Sequence, residues 1–225
     1  QIGDTNMIEL FDFHSPSFIL DKWDTDPSKR YKAVGSTKRG YCAAYSADGL
    51  NWKMYPDNPV LHSADTITLS QDTNTGEYLA FHKIHSDPRT KPVKRQVYLS
   101  VSKDMQSWSE PYLVMITDEI DHKEARLLEG GTHSEFYNMS AFAYGSQWLR
   151  VVTHFRRTGK PKIIKFDGGH AQSFDDGPID VQLVHSRDGR NWERCSDRSP
   201  VIPLGPYPYD SGSILGVCNS PVIVG

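Results

Sequence analysis

Short segments that alternate between apolar and polar residues run along almost the whole chain, and they predict β-strands. The segments are rich in β-branched and aromatic residues and are bounded by glycine, proline, asparagine or aspartate. The clearest are residues 17–20, 31–34, 66–70, 77–82, 96–102, 148–155 and 179–186. Only residues 118–131 have a partly helical pattern. The pattern therefore predicts an all-β fold.

One short motif occurs three times: Ser, any residue, Asp, three residues, Trp. The copies span Ser46–Trp52, Ser102–Trp108 and Ser186–Trp192, and each closes a predicted strand. In such a turn the Asp side chain can accept hydrogen bonds from backbone N–H groups. The Trp ring offers a large apolar surface for packing. We therefore expect the aspartates of the three copies to be structural.

The strands around each copy follow one order: strand, turn, strand, loop, strand, motif, fourth strand. Repeated four-stranded units of about 40 to 50 residues or more are typical of a β-propeller. We expect blades at 14–63, 64–117 and 132–209, with a partial blade at 210–225, in one propeller domain. A β-sandwich is the alternative fold, but it does not explain the repeated order.

Three blades and one further strand do not close a ring of at least four blades. We therefore expect the chain to be part of a longer protein. Completion of the ring by a second copy of the chain is the alternative. The oligomeric state stays open.

Composition narrows the classes of function. The chain has 225 residues, of which 37% are hydrophobic and 24% charged, and its formal net charge is −3. Charges of both signs are interspersed, which argues against a nucleic-acid partner. The locally basic runs 91–95 and 155–165 are interpreted as solvated loops. Three cysteines lack the spacing of a metal site and the even count of a disulfide framework.

Neither a membrane partner nor a cofactor is expected from the sequence. No stretch has the apolar length that spans a bilayer, and the first residues lack the pattern of a signal peptide. Cytoplasmic and exported locations both stay open. We expect no catalytic metal, because no tight spacing of metal ligands occurs.

Several segments carry a resemblance to a known superfamily. They are Asp65-Thr-Ile-Thr-Leu-Ser with residues 76–83, Glu135-Phe-Tyr-Asn-Met-Ser, residues 177–183 with the third motif, and Asp210-Ser-Gly. With these segments the chain resembles the five-bladed propeller glycosidases of glycoside hydrolase families 32, 43, 68, 117 and 130, and above all uncharacterised bacterial family 32-like proteins. The resemblance implies a propeller with five blades when complete, and a carbohydrate-active enzyme. The family 32 signatures Trp-x-Asn-Asp-Pro-Asn-Gly, Arg-Asp-Pro and Glu-Cys do not occur in the chain.

The strand order also predicts where a site lies. Successive connections of an antiparallel meander alternate between the two ends of a blade. The motif turns therefore lie at one end, and the starts of the first strands lie at the other. Because the motif turns repeat and serve the fold, we expect the site at the other end. Innermost strands converge on the propeller axis, so their starts meet around one pocket.

Carboxylates at these strand starts are the candidate catalytic groups. Glycosidic-bond cleavage needs a protonated acid and an ionised carboxylate. We expect Glu135 to be the general acid, Asp65 the base or the group that tunes the acid, and Asp210 the alternative to Asp65. The alternative interpretations are that Asp65 caps a turn and that Glu135 is a solvated loop residue. The expected substrate-binding residues are His14, Arg39, His85, Asp87, Arg89, His133, Tyr137, Asn138, Asp180 and Asn219.

The predicted partner is an oligosaccharide or glycoside, and the predicted reaction is hydrolysis. A glycoside phosphorylase of the same fold is one alternative, since phosphate would need the cations Arg39, Arg89, Lys91 and Arg95. A propeller that binds sugar or protein without catalysis is the other alternative.

Overall fold

A computed structural model of the protein describes residues 5, 7–62, 65–84, 87–91, 93–159, 162–166, 169–173, 176–216 and 219, with the backbone alone for 162–166 and 169–173. In this part of the chain the architecture is all-β apart from one α-helix and two short 3₁₀ turns. None of the described helices is long and apolar enough to cross a membrane.

Antiparallel sheets of consecutive strands make up the structure. The first sheet contains β1 (His14–Leu20), β2 (Tyr31–Thr37), β3 (Gly40–Ser46) and β4 (Trp52–Met54). The second contains β5 (Ile67–Gln71), β6 (Tyr78–His82), β7 (Val97–Ser102) and β8 (Tyr112–Met115). Both sheets pair their strands in chain order, as a meander does.

The third sheet is more elaborate. It is built on β9 (His133–Tyr144) and β10 (Gln147–Arg157), and the chain then leaves it for a separate hairpin of β11 (Lys162–Phe166) and β12 (Gly169–Ser173). The chain returns as β13 (Ile179–Ser186), which pairs with β10 and also with β14 (Glu193–Arg194) and β15 (Pro200–Ile202). The three sheets lie within the intervals predicted for three blades. The division of the chain at those boundaries stays a prediction.

The predicted strands are present, and one loop prediction was wrong. Residues 155–165 were expected to be a solvated loop, yet β10 continues to Arg157 and β11 begins at Lys162. Isoleucines 163 and 164 favour an extended backbone. β11 pairs with β12 in an antiparallel register that places Lys162 opposite Ser173 and Phe166 opposite Gly169. Arg156 and Arg157 of this run therefore lie in β10, and Lys162 and Lys165 lie in β11.

The first strands of the three sheets lie side by side. The Leu69 N–H of β5 donates to the Ser17 hydroxyl of β1 at 2.7 Å. On its other side, the Ser70 hydroxyl of β5 donates to the Ala141 carbonyl of β9 at 2.6 Å. β1, β5 and β9 thus run together as innermost strands do around an axis, which is consistent with a partial propeller.

Each copy of the repeated motif folds into the same turn. The Asp Oδ1 accepts hydrogen bonds from the N–H groups two and three residues later, at 2.7 or 2.8 Å. The Ser hydroxyl donates to the same oxygen. The structural role predicted for Asp48, Asp104 and Asp188 is therefore confirmed. The structure adds that each Trp indole N–H donates to the carbonyl three residues earlier, at 3.0 Å.

Two apolar clusters fill the spaces between neighbouring sheets. The first and second sheets enclose Val34, Tyr41, Ile67, Leu69 and Met105, among others. The second and third enclose Leu79, Phe81, Phe136, Trp148 and Val152, among others. The sheets are thus held together face to face by buried apolar surface.

A buried arginine lies at the second of these interfaces. The Arg150 guanidinium carbon is 3.3 Å from the ring centroid of Phe81 and 3.9 Å from that of Trp192. Its three nitrogens have no hydrogen-bond partner within the described part of the chain. Burial lowers the pKa of Arg150 well below its ordinary value. Stacking on the two rings therefore stabilises the buried position of the Arg150 side chain, whereas the loss of hydration destabilises it.

The helix α1 (Glu119–Arg126) is anchored beside the start of β9. Asp118 and Asp121 form a capping box at its N-terminus. Asp121 is fully buried and accepts two hydrogen bonds from Arg194, at 2.7 and 2.8 Å, and one from Arg198 at 3.1 Å. The Ser134 hydroxyl donates to the Asp121 carbonyl at 2.7 Å. These bonds fix the backbone that precedes Glu135.

Candidate functional site

Polar residues from all three sheets meet at the starts of the innermost strands. Asp65, just before β5, places Oδ2 2.7 Å from Lys83 Nζ and Oδ1 3.4 Å from His14 Nε2. Its backbone N–H donates to the Tyr41 hydroxyl at 3.2 Å. Lys83 reaches Asp65 because β5 and β6 are antiparallel, with Ile67 opposite His82. The first and second sheets therefore build this half of the site together.

Asp65 also has an unusual backbone conformation. Its φ is +148°, a region that non-glycine residues rarely occupy and that costs about 1 to 3 kcal/mol. Strained residues of this kind cluster at functional sites. The strain therefore supports a role for Asp65 beyond capping a turn.

Glu135, in β9 of the third sheet, forms the other half. Its carboxylate is fully buried and accepts hydrogen bonds from the Lys94 N–H at 2.9 Å, from His133 Nε2 at 3.2 Å and from the Arg95 guanidinium. Arg157 Nη1 lies 3.8 Å from Oε1. Glu135 is thus a satisfied buried anion, not a solvated loop residue.

The surroundings of Glu135 set its protonation state. Burial alone would raise its pKa, but the hydrogen bonds from His133, Lys94 and Arg95 outweigh burial and lower the pKa to about 2. The carboxylate is therefore ionised at neutral pH. Burial lowers the pKa of Lys83, and its bond to Asp65 opposes that effect.

Tyr137 joins the two halves. Its ring centroid is 4.1 Å from Lys83 Nζ and 5.3 Å from the Arg95 guanidinium carbon. Because side chains alternate along a strand, Tyr137 and Glu135 lie on the same face of β9. We name this group the entrance cluster: His14, Asp65, Lys83, Arg95, His133, Glu135, Tyr137 and Arg157.

A β-bulge shapes the strand beside Tyr137. The register between β9 and β10 shifts between Val152 and His154. At this point the Asn138 N–H donates to the Thr153 hydroxyl at 2.7 Å, and that hydroxyl donates to the Asn138 carbonyl at 3.1 Å. Bulges bend a strand and redirect side chains, and they are frequent next to active sites. Asn138 therefore lies next to the entrance cluster as part of this bulge.

The structure does not bring the other predicted residues into the entrance cluster. Asp210 closes its own turn, where Oδ1 accepts the Tyr207 N–H at 2.9 Å. Arg39 lies in the exposed β2–β3 turn and donates to the Asn58 carbonyl at 3.1 Å. Within the described part of the chain, neither has a contact with Glu135 or Asp65.

Asp87 and Arg89 satisfy each other. Arg89 Nε lies 2.9 and 3.0 Å from the two carboxylate oxygens of Asp87, and Asp87 also accepts the Tyr98 hydroxyl at 2.5 Å. Asp87 is buried and caps the 3₁₀ turn that carries Arg89. Asp87 and Arg89 therefore form an ion pair within a single turn. His85 lies outside the described residues.

Asp180 and Asn219 lie elsewhere. Asp180 is buried on β13 and pairs with Arg156, while burial raises the pKa of its carboxyl group. The neighbouring residue Arg157 faces Glu135 instead, because adjacent residues of β10 point to opposite faces of the sheet. Asn219 donates to the Phe18 carbonyl of β1 at 3.2 Å.

Sequence reasoning missed Lys83 and Arg157 as members of the site. Lys83 follows the second strand of its sheet, and the antiparallel register carries that position back to the start of the first strand. Arg157 was assigned to a loop and lies at the end of β10 opposite His133. Strand register was therefore the signal that could have identified both. No group of three or more metal-ligating side chains occurs among the described residues.

The chain matches no protein-family model and no curated protein sequence. It does resemble solved structures. One is a glycoside hydrolase, with a TM-score of 0.52 and 14% identity over 88% of this chain and 58% of that chain. Another is the fructofuranosidase of Schwanniomyces occidentalis complexed with fructose, with a TM-score of 0.49 and 12% identity over 86% of this chain and 36% of that chain. A third is a family 32 β-fructofuranosidase of Bombyx mori, with a TM-score of 0.47 and 13% identity over 82% of this chain and 34% of that chain.

The chain thus spans about a third of the length of these fructofuranosidases and 58% of the glycoside hydrolase. At 14% identity, the likeness to the glycoside hydrolase shows a common fold. A common fold leaves the reaction open, because function is a property of sites. The chain therefore shares the fold of the part of that glycoside hydrolase that it covers.

Proposed function

We propose that the protein is a carbohydrate-active enzyme that hydrolyses a glycosidic bond at the entrance cluster. One observation carries the proposal: Asp65 and Glu135 come from neighbouring sheets, and each is held by a cation that contacts the Tyr137 ring. Two carboxylates at one site are what this reaction needs. We also propose that the propeller has five blades when complete and that the three motif turns are its Asp boxes.

The roles of the two acids follow from their surroundings. A general acid needs a proton at neutral pH, and the pKa of about 2 leaves Glu135 without one. We therefore assign Glu135 the role of the ionised carboxylate of the pair. This assignment differs from the expectation drawn from the sequence.

The proton donor is then the Lys83 ammonium group, which the Asp65 carboxylate holds in place. Lys83 Nζ lies 2.7 Å from Asp65 Oδ2, and burial weakens the hold of Lys83 on its proton. The Asp65 side chain is 34% exposed, so a substrate can reach it. His14 is 70% exposed beside it and offers a ring nitrogen to sugar hydroxyls.

Aryl glycosides with different leaving groups test these roles. A panel of 4-nitrophenyl hexosides and pentosides identifies the sugar that is hydrolysed. With that sugar, Glu135→Gln should lose more than about a hundredfold in kcat/KM for both 2,4-dinitrophenyl and phenyl glycosides. Asp65→Asn should lose activity mainly on the phenyl glycoside, because a poor leaving group needs protonation. Glu77→Gln, at the opposite end of the second sheet, is the matched control and should behave as the parent.

The same variants carry the outcomes that contradict the proposal. If Glu135→Gln keeps the 2,4-dinitrophenyl activity and loses only the phenyl activity, Glu135 is the acid and the roles are reversed. If the parent binds sugars without turnover of any glycoside, the protein is a sugar-binding propeller. Binding by Glu135→Gln without turnover supports an enzyme.

A phosphorylase is the second candidate function. Arg95, Arg157 and Lys83 surround the two carboxylates, and cations of this kind bind phosphate. Turnover that requires inorganic phosphate and releases a sugar phosphate would identify this reaction. Turnover in phosphate-free buffer identifies hydrolysis.

A further inference from the structure

A cleft lies at the opposite end of the first two sheets from the entrance cluster. It is bounded by the β1–β2 connection, the β5–β6 turn and the second motif turn, and its volume is about 440 Å³. The first two of these connections follow β1 and β5, and His14 and Asp65 lie at or just before the starts of those strands, so the two sites are at different ends of the same strands. The volume lies within the range of about 300 to 1,000 Å³ that is typical of small-molecule sites. We name it the Trp23 cleft.

Trp23 presents a rigid aromatic surface in this cleft. The residue is 51% exposed, although tryptophan usually buries most of its ring. Its backbone N–H donates to Asp21 Oδ1 at 2.9 Å. One part of the ring rests on the backbone of Gly76, where a Cβ atom would lie 2.8 Å from the ring. The ring is thus fixed in place while about half of the residue stays open to solvent.

Tyr55 lines the same cleft and has a hydroxyl that can serve as a donor. The residue is only 5% exposed, and its ring packs edge-on against Tyr45 at 4.9 Å. Among the residues that the structure describes, the Tyr55 hydroxyl has no hydrogen-bond partner. The hydroxyl oxygen is not enclosed by protein atoms, so it is open to a ligand in the cleft. Burial and the nearby carboxylates of Asp24 and Asp21 raise the pKa of Tyr55, which keeps the hydroxyl protonated as a donor.

Asp24 offers a fixed acceptor beside it. The buried Lys32 ammonium group bonds to Asp24 Oδ2 at 2.7 Å and to Asp21 Oδ2 at 2.9 Å. The Asp24 side chain stays 22% exposed and lines the cleft. Lys29 and Lys103 line it together with Asp24 and Asp104, so both signs of charge are present. A ligand without net charge matches this lining better than an ion does.

We propose that the Trp23 cleft binds one or two residues of a neutral oligosaccharide. The apolar face of a sugar ring packs on Trp23, the Tyr55 hydroxyl donates to a sugar oxygen, and Asp24 accepts from a sugar hydroxyl. The cleft is a glycan-binding site separate from the entrance cluster. It holds a polymer without taking part in bond cleavage.

Calorimetric titration of the full chain with maltohexaose, cellohexaose, xylohexaose and a fructohexaose tests the proposal. At least one of them should bind, and Trp23→Ala should weaken that binding about tenfold because the stacking surface is lost. Tyr55→Phe removes only the hydroxyl and should weaken it about fivefold. Tyr209→Ala removes an exposed aromatic ring elsewhere and should bind as the parent does. Circular dichroism and thermal melting confirm that each variant is folded.

The Glu135→Gln variant separates the two sites. Binding that survives in Glu135→Gln and is weakened in Trp23→Ala supports the Trp23 cleft, whatever the outcome of the turnover experiments. Binding that is lost in Glu135→Gln and unchanged in Trp23→Ala assigns the sugar to the entrance cluster and overturns the proposal. Absence of binding by all four oligosaccharides also overturns it.

Discussion

Removal of the Glu135 charge should change both the stability of the protein and its response to acid. Glu135→Gln keeps the size of the side chain but removes the anion that Arg95, His133 and the Lys94 N–H surround. The glutamine amide cannot accept all of these hydrogen bonds, because only its oxygen is an acceptor and its NH₂ group is a donor. Arg95 then lacks its ionised partner in a mostly buried position.

The magnitude follows from the pKa. A carboxyl group whose pKa falls from 4.5 to about 2 on folding stabilises the native state by about 3 kcal/mol when it is ionised. Because folding lowers the pKa of Glu135, the contribution of its charge to the free energy of unfolding is complete above pH 4.5 and disappears as the pH falls toward 2. At neutral pH, Glu135→Gln should therefore lose about 3 kcal/mol, or roughly 6 to 12 °C in Tm for a domain of this size.

Urea titrations at pH values between 7 and 3 measure this contribution directly. The free energy of unfolding of the parent should fall faster than that of Glu135→Gln as the pH drops below about 4.5, so the two curves converge. Glu77→Gln is the matched control, since the Glu77 carboxylate also pairs with an arginine but is partly exposed to solvent. Its curve should run nearly parallel to that of the parent.

Two results would refute the reasoning. A loss below about 1 kcal/mol at neutral pH would mean that the bonds to Glu135 do not outweigh its burial. Parallel curves for the parent and Glu135→Gln would mean that the pKa of Glu135 is not depressed. Either result would also restore Glu135 as a candidate general acid.

Three further predictions concern the frame that holds the site. Asp188→Ala should lower the free energy of unfolding, measured by urea titration, by about 1 to 2 kcal/mol, because two N–H groups of its turn lose their acceptor. Asp197→Ala is the control: it removes one long hydrogen bond and should change the free energy of unfolding little. Asp121→Asn should lower the free energy of unfolding by about 3 to 5 kcal/mol in the same assay, because Arg194 and Arg198 lose their buried ionised partner. A decrease below about 1 kcal/mol would show that the two arginines bond to other acceptors. Arg150→Met should leave the free energy of unfolding unchanged or raise it, because a buried apolar side chain loses no hydration of a charged group. A decrease above about 2 kcal/mol would show that stacking of Arg150 on Phe81 and Trp192 outweighs the cost of its burial.

The strands and the motif turns are local features, and the sequence predicted them well. An alternating pattern and β-branched residues decide whether a short segment is extended, and Ser, Asp and Trp at fixed spacing close a turn with their own side chains. The loop prediction for residues 155–165 failed because residues 162–165, Lys-Ile-Ile-Lys, do not alternate between polar and apolar residues. The pairing of β11 with β12 became evident only in the folded chain.

The amino-acid pattern alone indicated the extended segments, the turns of the three repeats and the convergence of their first strands, so that Asp65, Glu135 and Tyr137 could be named in advance. The groups that surround these residues became known only from the folded chain. Lys83 reaches Asp65 through the register of two strands, and Lys94, Arg95 and Arg157 converge on Glu135 from β10 and from the segment before β7. These contacts set the ionised state of Glu135, and they join residues that are distant along the chain. A pattern of neighbouring residues reports local conformation, whereas the protonation state of a buried carboxylate depends on the charges and donors that folding brings to it.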